Sequence, residues 1–168
     1  MPSLKLMQTR GPTGPFKTDF DSFACLGDTI TAEVEGFTLT ACIYYDEHAG
    51  SPEDQSQCFW PSLDPDKAGY IGPKSKSTLR RQMKKARKVL ADWNLERWFY
   101  CGIAVTVARN GVELTGKFDH ALWGIECNYT GGRHKNPNTY LRDVANEHAQ
   151  GALDAAKEKV AALAKAIA

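Results

Sequence analysis

The sequence predicts a single α+β domain, an antiparallel sheet of about five strands with two helices packed on one face, in the order β-β-loop-α-β-β-β-α. Three observations predict it. Two stretches alternate apolar and polar residues with period two and turn back at a glycine, as half-buried hairpins do. Two other stretches repeat apolar residues every three or four positions, the period of an amphipathic helix. Hairpins need no crossover, so both helices are free to cover the same sheet face. With 168 residues the chain is long enough for one full core and tight for two. No repeat or linker divides it, so residues 1–168 read as one domain.

Residues 1–28 are rich in Gly, Pro and Asp and read as an irregular segment, with Leu4 and Leu6 as a possible short edge strand. From Thr29, Ile30, Ala32 and Val34 alternate with polar neighbours. After Glu35-Gly36 the alternation returns through Phe37, Leu39, Ala41, Ile43 and Tyr45. Residues 46–76 hold several prolines and four Asp, which argues for a long connection. Connections of this length in a compact domain are usually functional or disordered. Its aromatic residues Phe59, Trp60 and Tyr70 argue that part of it packs.

A helix follows, with Ser77 or Thr78 as N-cap. Leu79, Met83, Ala86, Leu90 and Trp93 share one narrow arc of it. A second hairpin runs from Phe99 through Cys101, Ile103, Val105 and Val107 to Asn110-Gly111, a strong hairpin turn signal. A further strand spans Ala121 to Asn128, with Trp123, Ile125 and Cys127 on one side. The last helix covers about Asn138 to Ile167. Its stripe is Leu141, Val144, Ala145, His148, Leu153, Ala156, Val160, Leu163 and Ile167, and Gly151 is a place where it could bend.

Charge is the feature that points to function. The formal net charge is only +1, yet the run Lys74–Lys88 holds eight cations and no carboxylate. The rest of the chain carries 13 cations against all 20 carboxylates. On a helical wheel Arg80, Arg81, Lys84, Lys85, Arg87 and Lys88 fill the arc opposite the apolar one, and Lys74 and Lys76 extend it. Such a local field suits phosphates or an acidic protein surface. It lacks base-reading groups apart from Gln82, so any nucleic-acid contact through it is weakly sequence-specific. The bland alternative is a solvated face neutralised by the acidic stretch 46–66, which has six carboxylates and no Lys or Arg. Secondary contacts are offered by Trp60 and Tyr70, and by Arg133 and Lys135 in the Gly-rich segment Thr130–Asn136. That segment could hold an anion or simply connect two elements.

Catalytic chemistry finds little purchase. No G-x-S-x-G, H-E-x-x-H or phosphate-cradling loop is present. Glu126 and Cys127 are adjacent in a strand and point to opposite faces. The four histidines lack the paired spacing of a zinc site, and no cofactor is implied. Five cysteines without a C-x-x-C pair fit small buried hydrophobes rather than a disulfide framework. No apolar run is long enough to span a bilayer, and residues 1–12 do not read as a signal peptide. A cytoplasmic, non-enzymatic protein is the expectation.

FWPSLDP (59–65), GYIGPKSKSTL (69–79), ERWFYCGIAVTV (96–107), LWGIECNY (122–129) and TYLRDVANE (139–147) together resemble a family of bacterial mobile-element proteins, carried by plasmids, integrative elements and phages. Thr130 stands where that pattern carries Pro. The resemblance implies no catalytic residues. It implies an anti-defence role of the anti-CRISPR type, with a host defence nucleoprotein complex or its nuclease as partner. The alternative is an accessory protein that binds the DNA or RNA backbone. Many restriction inhibitors are acidic DNA mimics, and this chain is not acidic enough to be one.

Overall fold

The computed structural model describes residues 13–167. Strands β1 (Thr29–Val34), β2 (Phe37–Tyr45), β3 (Phe99–Arg109), β4 (Val112–Glu113) and β5 (Ala121–Cys127) form one antiparallel sheet. The helices are α1 (Pro52–Gln55), α2 (Lys76–Asn94) and α3 (Thr139–Ile167). The α+β class matches the expectation, and so does the order of elements apart from the short α1, which falls within the expected loop. The suggested strand at Leu4 and Leu6 lies outside the described residues. β3 is the central strand, pairing with β2 along one edge and with β4 and β5 along the other. Both hairpins close on two residues with positive φ, Glu35-Gly36 and Asn110-Gly111. That backbone matches the right-handed twist of the strands it joins.

The core lies on one sheet face. Phe37, Leu39, Ala41 and Ile43 of β2 and Cys101, Ile103, Val105 and Val107 of β3 pack under Leu141, Ala145, Ala149, Ala152, Leu153 and Ala156 of α3. Four alanines among these six let the helix backbone approach the sheet closely. The expected stripe holds through Val160, which packs against the core. Leu163 and Ile167 are exposed, because the helix outruns the sheet. Gly151 does not interrupt it.

α2 departs from the expectation of two helices on one face. It contributes no residue to the core cluster. Leu79, Met83, Ala86, Leu90 and Trp93 are only half-buried, while Val89 and Asp92 are buried. The helix rests instead on Trp98, which is 1% exposed and whose indole N–H donates to the Val89 carbonyl at 2.9 Å. Trp98 follows the parity of Tyr100, away from the core side of β3, and meets Tyr100 and Tyr129 edge-on. This parity places Trp98 on the second face, and this is where α2 docks.

β5 also differs. Cys101 pairs with Ile125 but Ile103 pairs with Leu122, so Trp123 and Gly124 together oppose Gly102. One extra residue reverses the side-chain phase. Trp123 therefore does not share a side with Ile125 and Cys127. Its ring covers Gly102, where any Cβ would overlap it. Gly124 adopts φ 76°, and its N–H donates to the buried Asp46 carboxylate at 2.8 Å. The bulge thus has a partner for the amide it removes from the ladder.

Residues 13–28 are irregular, as expected, but not peripheral. Phe16, Phe20 and Ala24 are buried in the core, and four asparagine side chains hold their backbone. The Asn146 amide exchanges two hydrogen bonds with Phe16, and that of Asn128 does the same with Ala24. Asn136 donates to the Phe20 carbonyl and Asn138 to that of Asp21. Gly14 (φ 144°) lies so close to Asn146 that a Cβ would overlap its side chain. The long connection 46–75 is folded as well, with α1 and a bridge between Ser62 and Tyr70.

Two substitutions test this packing. Gly151→Ala places a Cβ at an ordinary 3.6 Å from the His120 ring. It should raise the unfolding free energy by about 0.5–1 kcal/mol in urea titration. Asn146→Ala strands the Phe16 amide and carbonyl and should lower it by about 1–3 kcal/mol.

Candidate polyanion-docking site

The N-cap of α2 is Ser75, two residues before the nearer of the expected caps. Its hydroxyl accepts from the Thr78 amide at 3.3 Å. Ser77 and Thr78 instead hydrogen-bond to Ser75 through their hydroxyls. The cap brings Lys76 into the first turn, where no acidic residue stands, and the last turn holds no basic one. Cations at a helix N-terminus oppose the macrodipole. Lys76–Arg80, Arg80–Lys84, Arg81–Lys85 and Lys84–Lys88 add like-charge pairs at i,i+4. Each costs about 0.2–0.5 kcal/mol. The charges on this helix work against the helix itself.

All eight cations of the run are exposed. Lys88 pairs with Asp92 at 2.6 Å. Lys74, Lys76, Arg80, Arg81, Lys84, Lys85 and Arg87 make no ion pair among the described residues. No carboxylate of the acidic stretch 46–66 forms an ion pair with them. Four of its six carboxylates are used nearby: Glu53 accepts from the Trp60 indole at 2.9 Å, Asp54 from the Ser51 amide, Asp64 from the Asp66 amide, and Asp46 serves the β5 bulge.

The C-terminal end of α2 is held by one buried carboxylate. Asp92 is 3% exposed and accepts from Lys88 at 2.6 Å, from Arg97 at 2.8 Å and from the Thr130 hydroxyl at 2.8 Å. The Lys88 and Thr130 hydrogen bonds, and then that of Arg97, outweigh burial and lower its pKa from 3.8 to about 2. Thr130 ties α2 to the segment that bears Arg133 and Lys135, both exposed. The structure thus places those two cations on a loop reaching the anchored end of α2. Tyr70 is exposed and Trp60 half-buried, in the folded connection that leads directly into Lys74.

Beside this anchor is an open cleft of about 620 Å³, walled by Phe23, Leu26, Tyr45, Trp93 and Tyr100. Asp46 and Glu96 lie on its lining. No periodic pattern announced it, because Phe23 and Leu26 come from an irregular segment. The one readable signal was Trp93, at the end of the apolar arc of α2.

Other chemistry is sparse. Cys101 and Cys127 are buried, and a hydrogen bond between them, then burial, pushes the Cys101 thiol up, so it is a poor nucleophile. Cys42 is half-buried, while Cys25 and Cys58 are exposed rather than packed. Among the described residues no three His, Cys, Asp or Glu side chains converge as metal ligands, and no helix is long and apolar enough to cross a membrane. Comparison with protein-family models, with curated proteins and with solved structures finds no match.

The depressed pKa of Asp92 gives a pH test. A carboxylate held below its unfolded value stabilises the fold above about pH 4, and that contribution is lost as pH falls toward 2. Near-ultraviolet circular dichroism of the Trp98 cluster should follow the loss over this window. Asp92→Asn should be less stable by about 1–3 kcal/mol at pH 7 and show a shallower acid dependence.

Proposed function

We propose that this chain is a non-enzymatic docking protein whose α2 face meets the anionic surface of a host defence nucleoprotein complex and blocks nucleic-acid binding or nuclease recruitment there. One observation carries the reading. Seven exposed cations stand on a single helix and its lead-in without intramolecular ion pairs among the described residues, in positions that cost the helix stability. A charge pattern selected for folding alone would place carboxylates in the first turn and alternate signs along the face. An external anion removes both costs on binding. The resemblance to mobile-element proteins supports a defence effector as the target, inside a bacterial host cell.

A second reading, a nucleic-acid-binding accessory protein, is favoured by the open sheet face. Phe118 and Trp123 are 48% and 41% exposed there. Phe118 meets Tyr44 and Trp123 edge-on, and Lys117 stands over the Tyr44 and Phe118 rings. Exposed rings beside a cation suit stacking of unpaired bases.

Lys84→Glu, Lys85→Glu and Arg87→Glu combined spare Lys88 and its bond to Asp92. This variant should keep or raise the melting temperature, because like-charge pairs are removed. Its binding to the target should fall at least tenfold. A salt-sensitive gel shift with a single-stranded oligonucleotide at micromolar protein would favour the accessory role. No shift at low salt, with co-purification of a defence effector, would favour the inhibitor. If the triple variant keeps full activity, both readings fail.

A further inference from the structure

The aromatic cleft opens at the C-terminal end of α2, where Trp93 walls it from the side of the helix opposite the cations. An occupant therefore reaches both by rounding the helix end. Phe23 is 67%, Leu26 52% and Tyr45 54% exposed. Their apolar surface is held in place from behind: Asn128 fixes Ala24 beside Phe23, and Trp98 and Asp92 fix the end of α2. The cleft volume lies within the range of about 300–1,000 Å³ usual for ligand sites.

Charge sorts the possible occupants. Asp46 and Glu96 on the lining disfavour a phosphate-bearing nucleotide inside the cleft, whereas the cations along the helix favour a polyanion outside it. Both conditions are met by a peptide with an apolar end and an acidic run. We propose that the partner of α2 is an extended acidic protein segment with one bulky apolar side chain at the end that reaches α2's C-terminus, seated in this cleft. The proposal rests on the docking role of α2 and names its partner. The 19 residues of α2 span about 28 Å at 1.5 Å per residue. An extended chain covers that length with about eight or nine residues. The apolar anchor supplies a fixed register that charge alone lacks.

Fluorescence anisotropy with synthetic peptides tests this. The probes are a ten-residue peptide of eight Asp/Glu residues ending in Trp-Leu, the same peptide ending in Ala-Ala, and a ten-nucleotide oligo-dT. The anchored peptide should bind at least about tenfold tighter than the Ala-Ala peptide at physiological salt. Phe23→Ala and Tyr45→Ala alter exposed side chains, so the fold should survive. Either should erase the advantage of the anchor and leave Ala-Ala peptide binding unchanged. The triple α2 charge reversal should weaken both peptides.

Equal affinity of the two peptides, or an anchor effect insensitive to Phe23→Ala and Tyr45→Ala, overturns the cleft while leaving α2 as the docking face. Failure of both peptides to bind in a salt-sensitive way overturns the docking role itself. Tighter binding of oligo-dT than of the anchored peptide makes a nucleic acid the occupant and overturns the proposal. Self-association abolished by Phe23→Ala makes a second copy the occupant and overturns it as well.

Discussion

Asn128 is the joint on which the rest of the structure hangs. It ends β5 with φ 60°, is 5% exposed, and links three segments through one residue. Its side-chain amide exchanges hydrogen bonds with Ala24, its backbone N–H donates to the Asn138 side chain, and its Oδ1 also accepts from Asn138. Buried polar groups without partners are costly, and a satisfied network fixes geometry in a way apolar contact does not. An irregular segment cannot satisfy its amides by pairing in a ladder. Here asparagine side chains supply those partners, and Phe16 and Phe20 can enter the core as a result. Two residues further on, Thr130 reaches Asp92. A single stretch thereby registers the N-terminal segment, the sheet and the basic helix against one another.

That registration explains how α2 tolerates its own charge. Its cations repel one another and oppose the dipole, so intrinsic propensity does not hold it. Stability enters from the C-terminal end, where Val89, Trp98 and the Asp92 hydrogen bonds are buried. The result is a division along one helix: an anchored end that carries packing, and a face that carries charge. The cleft opens at the anchored end.

Much of the sheet was legible from alternation and turn chemistry, because β1 and β2 bury one face more than the other, β3 alternates in its core residues, and each hairpin needs positive φ at its turn. The cationic face of α2 was equally legible, since a helical wheel requires only sequence. What escaped had non-local causes. The phase change at Trp123 goes with a hydrogen bond from the Gly124 amide to Asp46, 78 residues from that glycine. Phe16 and Phe20 follow no period, since side chains on other elements hold their backbone. The docking of α2 away from the core turns on Trp98, whose orientation was readable but whose role as a seat was not. Ser75 displaced Ser77 and Thr78 as cap because those hydroxyls turn to it instead.

The bulge in β5 bears on how copies of this protein behave in a crowd. A sheet with open edges invites edge-to-edge pairing and fibril growth. β5 lies on one edge, and its extra residue interrupts the regular ladder that another strand would need. The other edge is β1, which is six residues long and bears Glu33 facing out, with Glu35 at its end. Short length, charge and an interrupted register are the usual safeguards of exposed strands. They guard the edges of a sheet whose second face is left partly exposed at Phe118 and Trp123.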